Sequence, residues 1–352
     1  MAATIRDVAK LAGVSHTTVS NVLNNVPKVG PEVRERVMKA VQALHFEPNQ
    51  MAKSLYTKRS FAVGYMVPTI TNQFFMDVAR GIEQVLFRED TCLFLCDTMF
   101  EANREGNYLR RLIRQRVDGI VFSYAANPKN VREAIRTGIP VVAVESPVAM
   151  PEISLVEVDN AAAAVTAVDH LAGLGHRHIG LIALDFEGDV NKERLRGFQN
   201  GLKIHDRPLR PELLLSLNSL GIGHGYFEQL IDLGRKPLSI QDSFTQTVRG
   251  LLALAQPPTA LVCFDYQSAH LLIRCLAGIG YTPGKDLSVV GFDIPASLCL
   301  PQITAIRQPA VEMGSFAAEL LLERIVNSSL RPRSLRLAAQ LWPGETSGPA
   351  PG

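Results

Sequence analysis

Between Thr4 and Asn24 the apolar positions follow a helical period twice in succession. Ile5, Val8, Ala9 and Ala12 line one side of a first short helix. Gly13 is placed to end it, because glycine enters the left-handed region without the penalty a Cβ carries. Ser15 predicts an N-cap for a second helix over 16–23, with Val19, Val22 and Leu23 facing inward. Two short helices about a glycine turn predict a helix-turn-helix. Its second helix turns His16, Thr17 and Asn21 outward, side chains suited to base edges in a major groove. By pattern alone a generic helical hairpin fits equally well. After a turn at Asn24-Asn25-Val26-Pro27, a third helix is predicted from Pro31 to Leu44, proline suiting the first helical position. Val33, Val37, Ala40, Val41 and Leu44 give it the face that closes a three-helix core, and Gly30 makes a weak cap. Arg34, Arg36 and Lys39 suit phosphate contacts or plain solvation.

From Phe61 the pattern changes to short apolar runs alternating with amphipathic stretches. Strands are predicted at 62–67, 91–96, 119–122, 141–144 and 155–158, with helices over 74–86, 104–115 and 131–137 between them. The alternation restarts after Asp159 and runs to Phe292. Repeated β-α units with fully apolar strands predict parallel sheets covered on both faces. Two doubly wound α/β lobes in tandem leave a cleft between their C-terminal strand ends.

Composition narrows the classes. A chain of 352 residues with 47% apolar and 20% charged residues has room for several domains with sizeable cores. The net charge of +2 is unevenly spread: residues 1–60 hold nine Lys and Arg against four acids, leaving the remainder mildly acidic. A basic head on an acidic body fits a head that docks on phosphates. No apolar run is long enough for a membrane span and no signal-peptide core opens the chain, so a cytoplasmic location is expected. The five cysteines, Cys92, Cys96, Cys263, Cys275 and Cys299, form no disulfide or metal pattern and are expected as small core residues. His176 and His178 would face alike on a strand but lack a third ligand. The Gly173 to Gly180 stretch precedes a strand instead of joining strand to helix, so it is not read as a phosphate loop. No nucleophile elbow, Ser-His-Asp order or metal cluster is visible, so neither catalysis nor a cofactor or metal is expected.

The stretch TIRDVAKLAGVSHTTVSNVLN resembles the N-terminus of the lactose/galactose repressor family, filling every fixed position of T-I-x-D-V-A-x-x-A-G-V-S-x-x-T-V-S-x-V-L-N. Resemblance continues at Pro48-Asn49, Arg116-Val117-Asp118-Gly119, Gly291-Phe292-Asp293 and Arg307-Gln308-Pro309. It implies an N-terminal all-α head (1–47), a hinge helix or linker (48–60) and a body of two doubly wound parallel-sheet lobes like periplasmic binding proteins (61–344). Lobe one would take 61–160 and 294–328, and lobe two 161–293 and 329–344. Residues 345–352 are expected as a flexible tail with little to bury.

The family's hinge folds on operator DNA, pairs with its twin and drives a leucine into the minor groove. Residue for residue that is Leu55, with Ala52 and Lys53 reading or lining the groove. Lys53 stands where the family more often has Arg, so the guanidinium fork is missing. Thr4, Ser15, Thr18, Ser20, Asn24 and Arg34 are expected at the DNA backbone.

In the body the match sets Thr69, Asn72, Phe74, Phe75, Arg194, Asp265 and Asp293 toward a ligand. An aromatic platform with Arg and Asp suits a polyol, and the same pieces serve a nucleobase or nucleoside. Asp293 equally suits holding the crossover turn, Arg194 a rim salt bridge and Phe75 the core, while Glu145 and Asp185 are further polar candidates. Phe264 and His270 depart from the family's usual residues.

The expectation is a homodimeric, sequence-specific regulator, a repressor by first choice. It would bind pseudo-palindromic DNA under control of a small effector, a sugar before a purine or nucleoside. A sensing module without operator binding would explain the body but not the basic head. The stretch after Trp342 carries no heptads, so nothing points beyond a dimer.

Overall fold

A computed structural model of the chain describes residues 3–23, 26–46, 59–146, 150–186, 188–223, 238–294 and 301–351. The chain divides into two compact units, residues 1–61 and 62–352. The expected hinge falls largely outside the described residues.

The first unit holds three helices, α1 (Ile5–Ala12), α2 (His16–Leu23) and α3 (Pro31–Ala43). Gly13 ends α1 at φ 65°, in the left-handed region the turn needs. Val8, Ala9, Ala12, Val19, Val22, Val37 and Ala40 meet in one small core. Gly30 gives α3 no side-chain cap, and Pro31 opens it instead.

The second unit contains two six-stranded sheets. In chain order the first lobe begins β1 (Ala62–Val67), α4 (Gln73–Arg88), β2 (Cys92–Asp97), α5 (Ala102–Arg114), β3 (Gly119–Ser123), α6 (Pro128–Arg136), β4 (Val141–Val144) and β5 (Ser154–Val158). The second follows with α7 (Asn160–Gly173), β6 (Ile179–Ala183), α8 (Asp189–Ile204), β7 (Leu214–Ser216), α9 (Leu238–Leu252), β8 (Ala260–Cys263), α10 (Tyr266–Gly278), β9 (Ser288–Phe292) and β10 (Thr304–Arg307). Helix α11 (Ala310–Val326), β11 (Ser334–Leu337) and β12 (Gln340–Trp342) complete the described elements.

Strand order is β11-β5-β4-β3-β1-β2 in one sheet and β12-β10-β9-β8-β6-β7 in the other. All pairings are parallel except β10 with β12. Each order reverses direction beside its first strand, β1 or β6, which opens a crevice at the C-terminal strand ends. The period of two in β1 sends Val63, Tyr65 and Val67 to one face, beneath α4 and α11, and Ala62 and Met66 to the other, beneath α5 and α6. Helices α4 and α11 approach so closely that a Cβ on Gly81 would strike the Val311 carbonyl, and one on Gly314 the Val78 carbonyl.

Three expectations change. The chain does not return to the first lobe near Ile294. Thr304–Arg307 first pairs with β9, and only then does α11 pack on α4. The Leu335 to Trp342 segment does not join one lobe, because β11 extends the first sheet beside β5 and β12 the second beside β10. The terminal segment is not a tail with little to bury. Thr346 is fully buried, exchanges bonds with Val289 on both its carbonyl and its hydroxyl, and Ala350 N–H reaches the Leu174 carbonyl. His176, fully buried ahead of β6, binds Ser288, Thr259 and the Gly348 carbonyl and so fastens that segment. The cysteines differ as well: Cys96, Cys263 and Cys275 are buried, but Cys92 is exposed at the start of edge strand β2. Cys299 lies outside the described residues.

Among the described residues no helix is long and apolar enough to cross a membrane, and no group of three or more His, Cys, Asp or Glu is placed to hold a metal.

Candidate functional site

On the head, helix ends explain several polar residues expected at DNA. Thr4 caps α1 in a reciprocal box with Asp7, its hydroxyl donating to the Asp7 carboxylate at 2.7 Å. Those bonds hold the Asp7 carboxyl below its ordinary value. Ser15 accepts the Thr18 N–H at 3.1 Å and pairs with the Thr18 hydroxyl at 2.9 Å, fixing the start of α2. Arg34 donates to the Val22 and Val26 carbonyls at 3.3 and 3.4 Å, so its guanidinium holds the C-terminal end of α2. His16 and Thr17 are exposed, and Ser20 and Asn21 half-buried, on the helix so anchored. Asn24, Ala52, Lys53 and Leu55 lie outside the described residues.

In the body, a cavity of about 940 Å³, counting its open mouth, lies where the C-terminal strand ends of both lobes converge. Its concave lining mixes aromatic and polar side chains, as small-ligand sites do. All seven body residues singled out from the sequence line it: Thr69, Asn72, Phe74, Phe75, Arg194, Asp265 and Asp293. Glu145 and Asp185 line it too. Sequence reasoning missed Phe100, Tyr124, Asp189, Asn191, Gln267 and Gln308. Phe100 and Tyr124 meet edge to face with centroids 5.6 Å apart, as do Phe74 and Phe75 at 5.3 Å.

Four lining residues carry left-handed backbones without being glycine: Phe100 at φ 57°, Tyr124 at 54°, Glu145 at 44° and Asp293 at 58°. Three of them, Tyr124, Glu145 and Asp293, directly follow a strand, so a strained residue turns the chain there. Such conformations cost of order 1–3 kcal/mol each and cluster where structure serves function.

A buried polar chain runs under the cavity. Glu145 accepts from the Val158 N–H and from Asn160 at 2.9 Å. Asn160 accepts the Arg194 Nε–H at 2.8 Å. Arg194 also donates to the Phe264 carbonyl and to Asp293, which accepts in turn from Gln308 at 2.8 Å. The guanidinium lies 4.3 Å from the Phe292 ring centre. The chain thus links Glu145 on lobe one, through Asn160 at one crossing, to Arg194 on lobe two and Gln308 at another crossing. Burial pushes the Glu145 carboxyl up to about 7, and also raises the Tyr124 phenol, with a further contribution from the negative charges of Asp185 and Asp189. Arg194 is 4% exposed and serves this network first; the rim salt bridge allowed from sequence is a buried one to Asp293. Asn72 and Asp265 have local duties as well, capping α4 and α10 by accepting from Phe74 N–H and Ser268 N–H.

Comparison with known proteins matches both units. Residues 4–49 fit the model of the bacterial regulatory proteins, lacI family, and 60–223 that of the periplasmic binding proteins and sugar binding domain of LacI family. Residues 168–347 fit the periplasmic binding protein-like domain. The chain is 31% identical over 344 residues to the HTH-type transcriptional repressor PurR of Vibrio vulnificus, covering 96% of this chain and 97% of that protein. Among solved structures, a LacI family transcriptional regulator from Enterococcus faecium with bound ribose superposes with a TM-score of 0.68 at 26% identity, over 82% of this chain and 100% of that one. The lac repressor dimer bound to operator and an anti-inducer shares the fold with a TM-score of 0.80 at 24% identity, over 99% and 100%.

Proposed function

We propose that this chain, which belongs to the LacI family of bacterial regulatory proteins, is a repressor whose operator binding is set by a sugar or sugar derivative held in the interlobe cavity. That it is a DNA-binding transcription regulator with an effector-binding body follows from the family. The family is one of regulators, not of enzymes. Sugar as the effector is carried by one observation, the lining of the cavity. Aromatic faces from Phe75, Phe100 and Tyr124 stand among carboxylates and amides able to accept a fan of hydroxyl donors. The ribose bound to the Enterococcus faecium protein supports the same choice.

In this reading Asn21, with exposed His16 and Thr17, reads bases, and Leu55, flanked by Ala52 and Lys53, wedges the minor groove. Two copies act together, so that two half-sites give affinity that one small head cannot. Phe87, Phe94, Phe316 and Val326 are exposed on α4, β2 and α11, and burying them between copies supports the homodimer.

A nucleobase or nucleoside is the second reading, favoured by the PurR relatives and by the flat aromatic faces. A thermal-shift screen of sugars, nucleobases and nucleosides separates the two, each hit then being assayed against operator DNA selected from a random pool at fixed salt. A sugar that stabilises the protein and changes operator affinity is the expected result. A nucleobase doing so instead replaces the first reading with the second. Stabilisation without any change in operator affinity counts against control through the cavity.

A further inference from the structure

We infer that the cavity selects by charge, taking uncharged ligands and rejecting their phosphate esters, an inference that rests on reading this cavity as the effector site. Five acidic side chains line it, Glu145, Asp185, Asp189, Asp265 and Asp293; burial holds Glu145 partly neutral, Arg194 pairs with Asp293, and the three others carry the negative charge. Among the described lining residues Arg194 is the sole cation. Its Nε, Nη1 and Nη2 are committed to Asn160, the Phe264 carbonyl and Asp293, and its face to the Phe292 ring. Among the described lining residues, a phosphate entering the cavity meets acidic side chains and no cation exposed to receive it. Of the undescribed stretches in the body, 147–149, 187 and 295–300 contain no Lys, Arg or His, while 224–237 contains His224, Arg235 and Lys236.

Helix N-termini are the other common receptor for phosphate, through their unpaired N–H groups. Helices α4, α8 and α10 all begin at the cavity, but side chains of the protein already stand there. Asn72 accepts the Phe74 N–H and Asp265 the Ser268 N–H. Asp185 accepts the Gly188 N–H directly before α8, whose first residue is Asp189. These groups fill the phosphate positions with acceptors, two of them carboxylates. An uncharged polyol meets the opposite situation, since each hydroxyl can donate to a carboxylate or amide oxygen while the ring lies against an aromatic face.

The test uses the purified full chain and calorimetric titration of paired probes: glucose and glucose 6-phosphate, ribose and ribose 5-phosphate, adenosine and adenosine 5′-monophosphate. Crystals grown with and without inorganic sulfate provide a ligand-independent arm. The expected result is that any probe that binds does so at least about tenfold more weakly once phosphorylated, the scale of one unscreened like-charge contact. Sulfate should find no ordered position in the cavity. Asp189→Asn should narrow the tenfold gap; an unchanged gap would make the discrimination steric and overturn charge selection. An ester that binds as tightly as its parent, or an ordered sulfate in the cavity, overturns it directly. If no uncharged probe binds while sulfate stays out, the sugar reading falls and the charge inference stands.

Discussion

The head and the cavity solve the problem of holding polar side chains in place by different means. On the head, α2 is fixed by residues close to it in the chain: Ser15 and Thr18 at its start, Gly13 in the turn before it and Arg34 holding the Val22 carbonyl in its last turn. His16, Thr17 and Asn21 then take their positions from one short rigid helix. In the cavity, residues from Thr69 to Gln308 meet at strand ends of two lobes, several on left-handed backbones, above a buried chain from Glu145 to Gln308. A local device presents a fixed surface to DNA. A long-range one ties the cavity to the crossings between lobes, so ligand contacts and lobe geometry share the same side chains. A ligand that binds one lobe arrangement better than another then shifts the population between them.

This contrast orders the consequences of substitution. Arg194→Met should have the largest effect. It leaves Asp293 and the Phe264 carbonyl without their buried donor, and breaking such an ion pair costs about 3–5 kcal/mol. Urea unfolding of the body should register that loss while the head's own transition is unchanged. A loss below about 1 kcal/mol would remove the network from the account.

The Glu145 carboxyl gives the next largest effect. Its folded value of about 7 lies above the ordinary 4.5, so its protonated form is the one the fold favours. The associated stability is complete below pH 4.5 and is lost as pH rises through about 7, a decline of about 3 kcal/mol. Wild type measured against Glu145→Gln across pH 4 to 8 should show that decline; a flat difference would mean that Glu145 titrates alike in the folded and unfolded chain.

On the head, Asn21→Ala should relax preference at a single base position by about 1–3 kcal/mol. A uniform loss across operator sequences would instead make Asn21 a backbone contact. Ser15→Ala is the smallest change, costing the head about 1 kcal/mol through the lost cap and leaving the body's unfolding untouched. Calorimetry of the full chain distinguishes the two transitions.

The same contrast decides what could be read from the sequence. Gly13, Ser15 and Pro31 act within a few residues of themselves, and local signals of that kind are legible in one sequence. The β-α alternation was legible for the same reason, because strands buried on both faces are written as apolar runs. The seven cavity residues came from the family resemblance, not from spacing. Tyr124 and Phe100 were missed because a left-handed backbone at a bulky residue is imposed by tertiary structure and leaves no mark like that of glycine. Gln308 was quoted only within a motif, its bond to Asp293 depending on the late crossing after β10. Thr346 misled in the opposite sense. Small and polar residues read as solvent-exposed, yet the bonds of Thr346 with Val289 bury that residue and the His176 cluster fastens the segment around it.

The most direct test of the central claim, that ligand in the cavity controls DNA binding by the head, is the operator affinity of wild type and Phe75→Ala at fixed salt. Each is measured with and without the uncharged ligand that most stabilises wild type in the thermal screen. The account predicts an operator Kd that changes about tenfold or more in wild type, within the usual range of allosteric coupling, and little in the variant. An operator Kd that is the same with and without ligand in wild type, or a full response retained by Phe75→Ala, would contradict it.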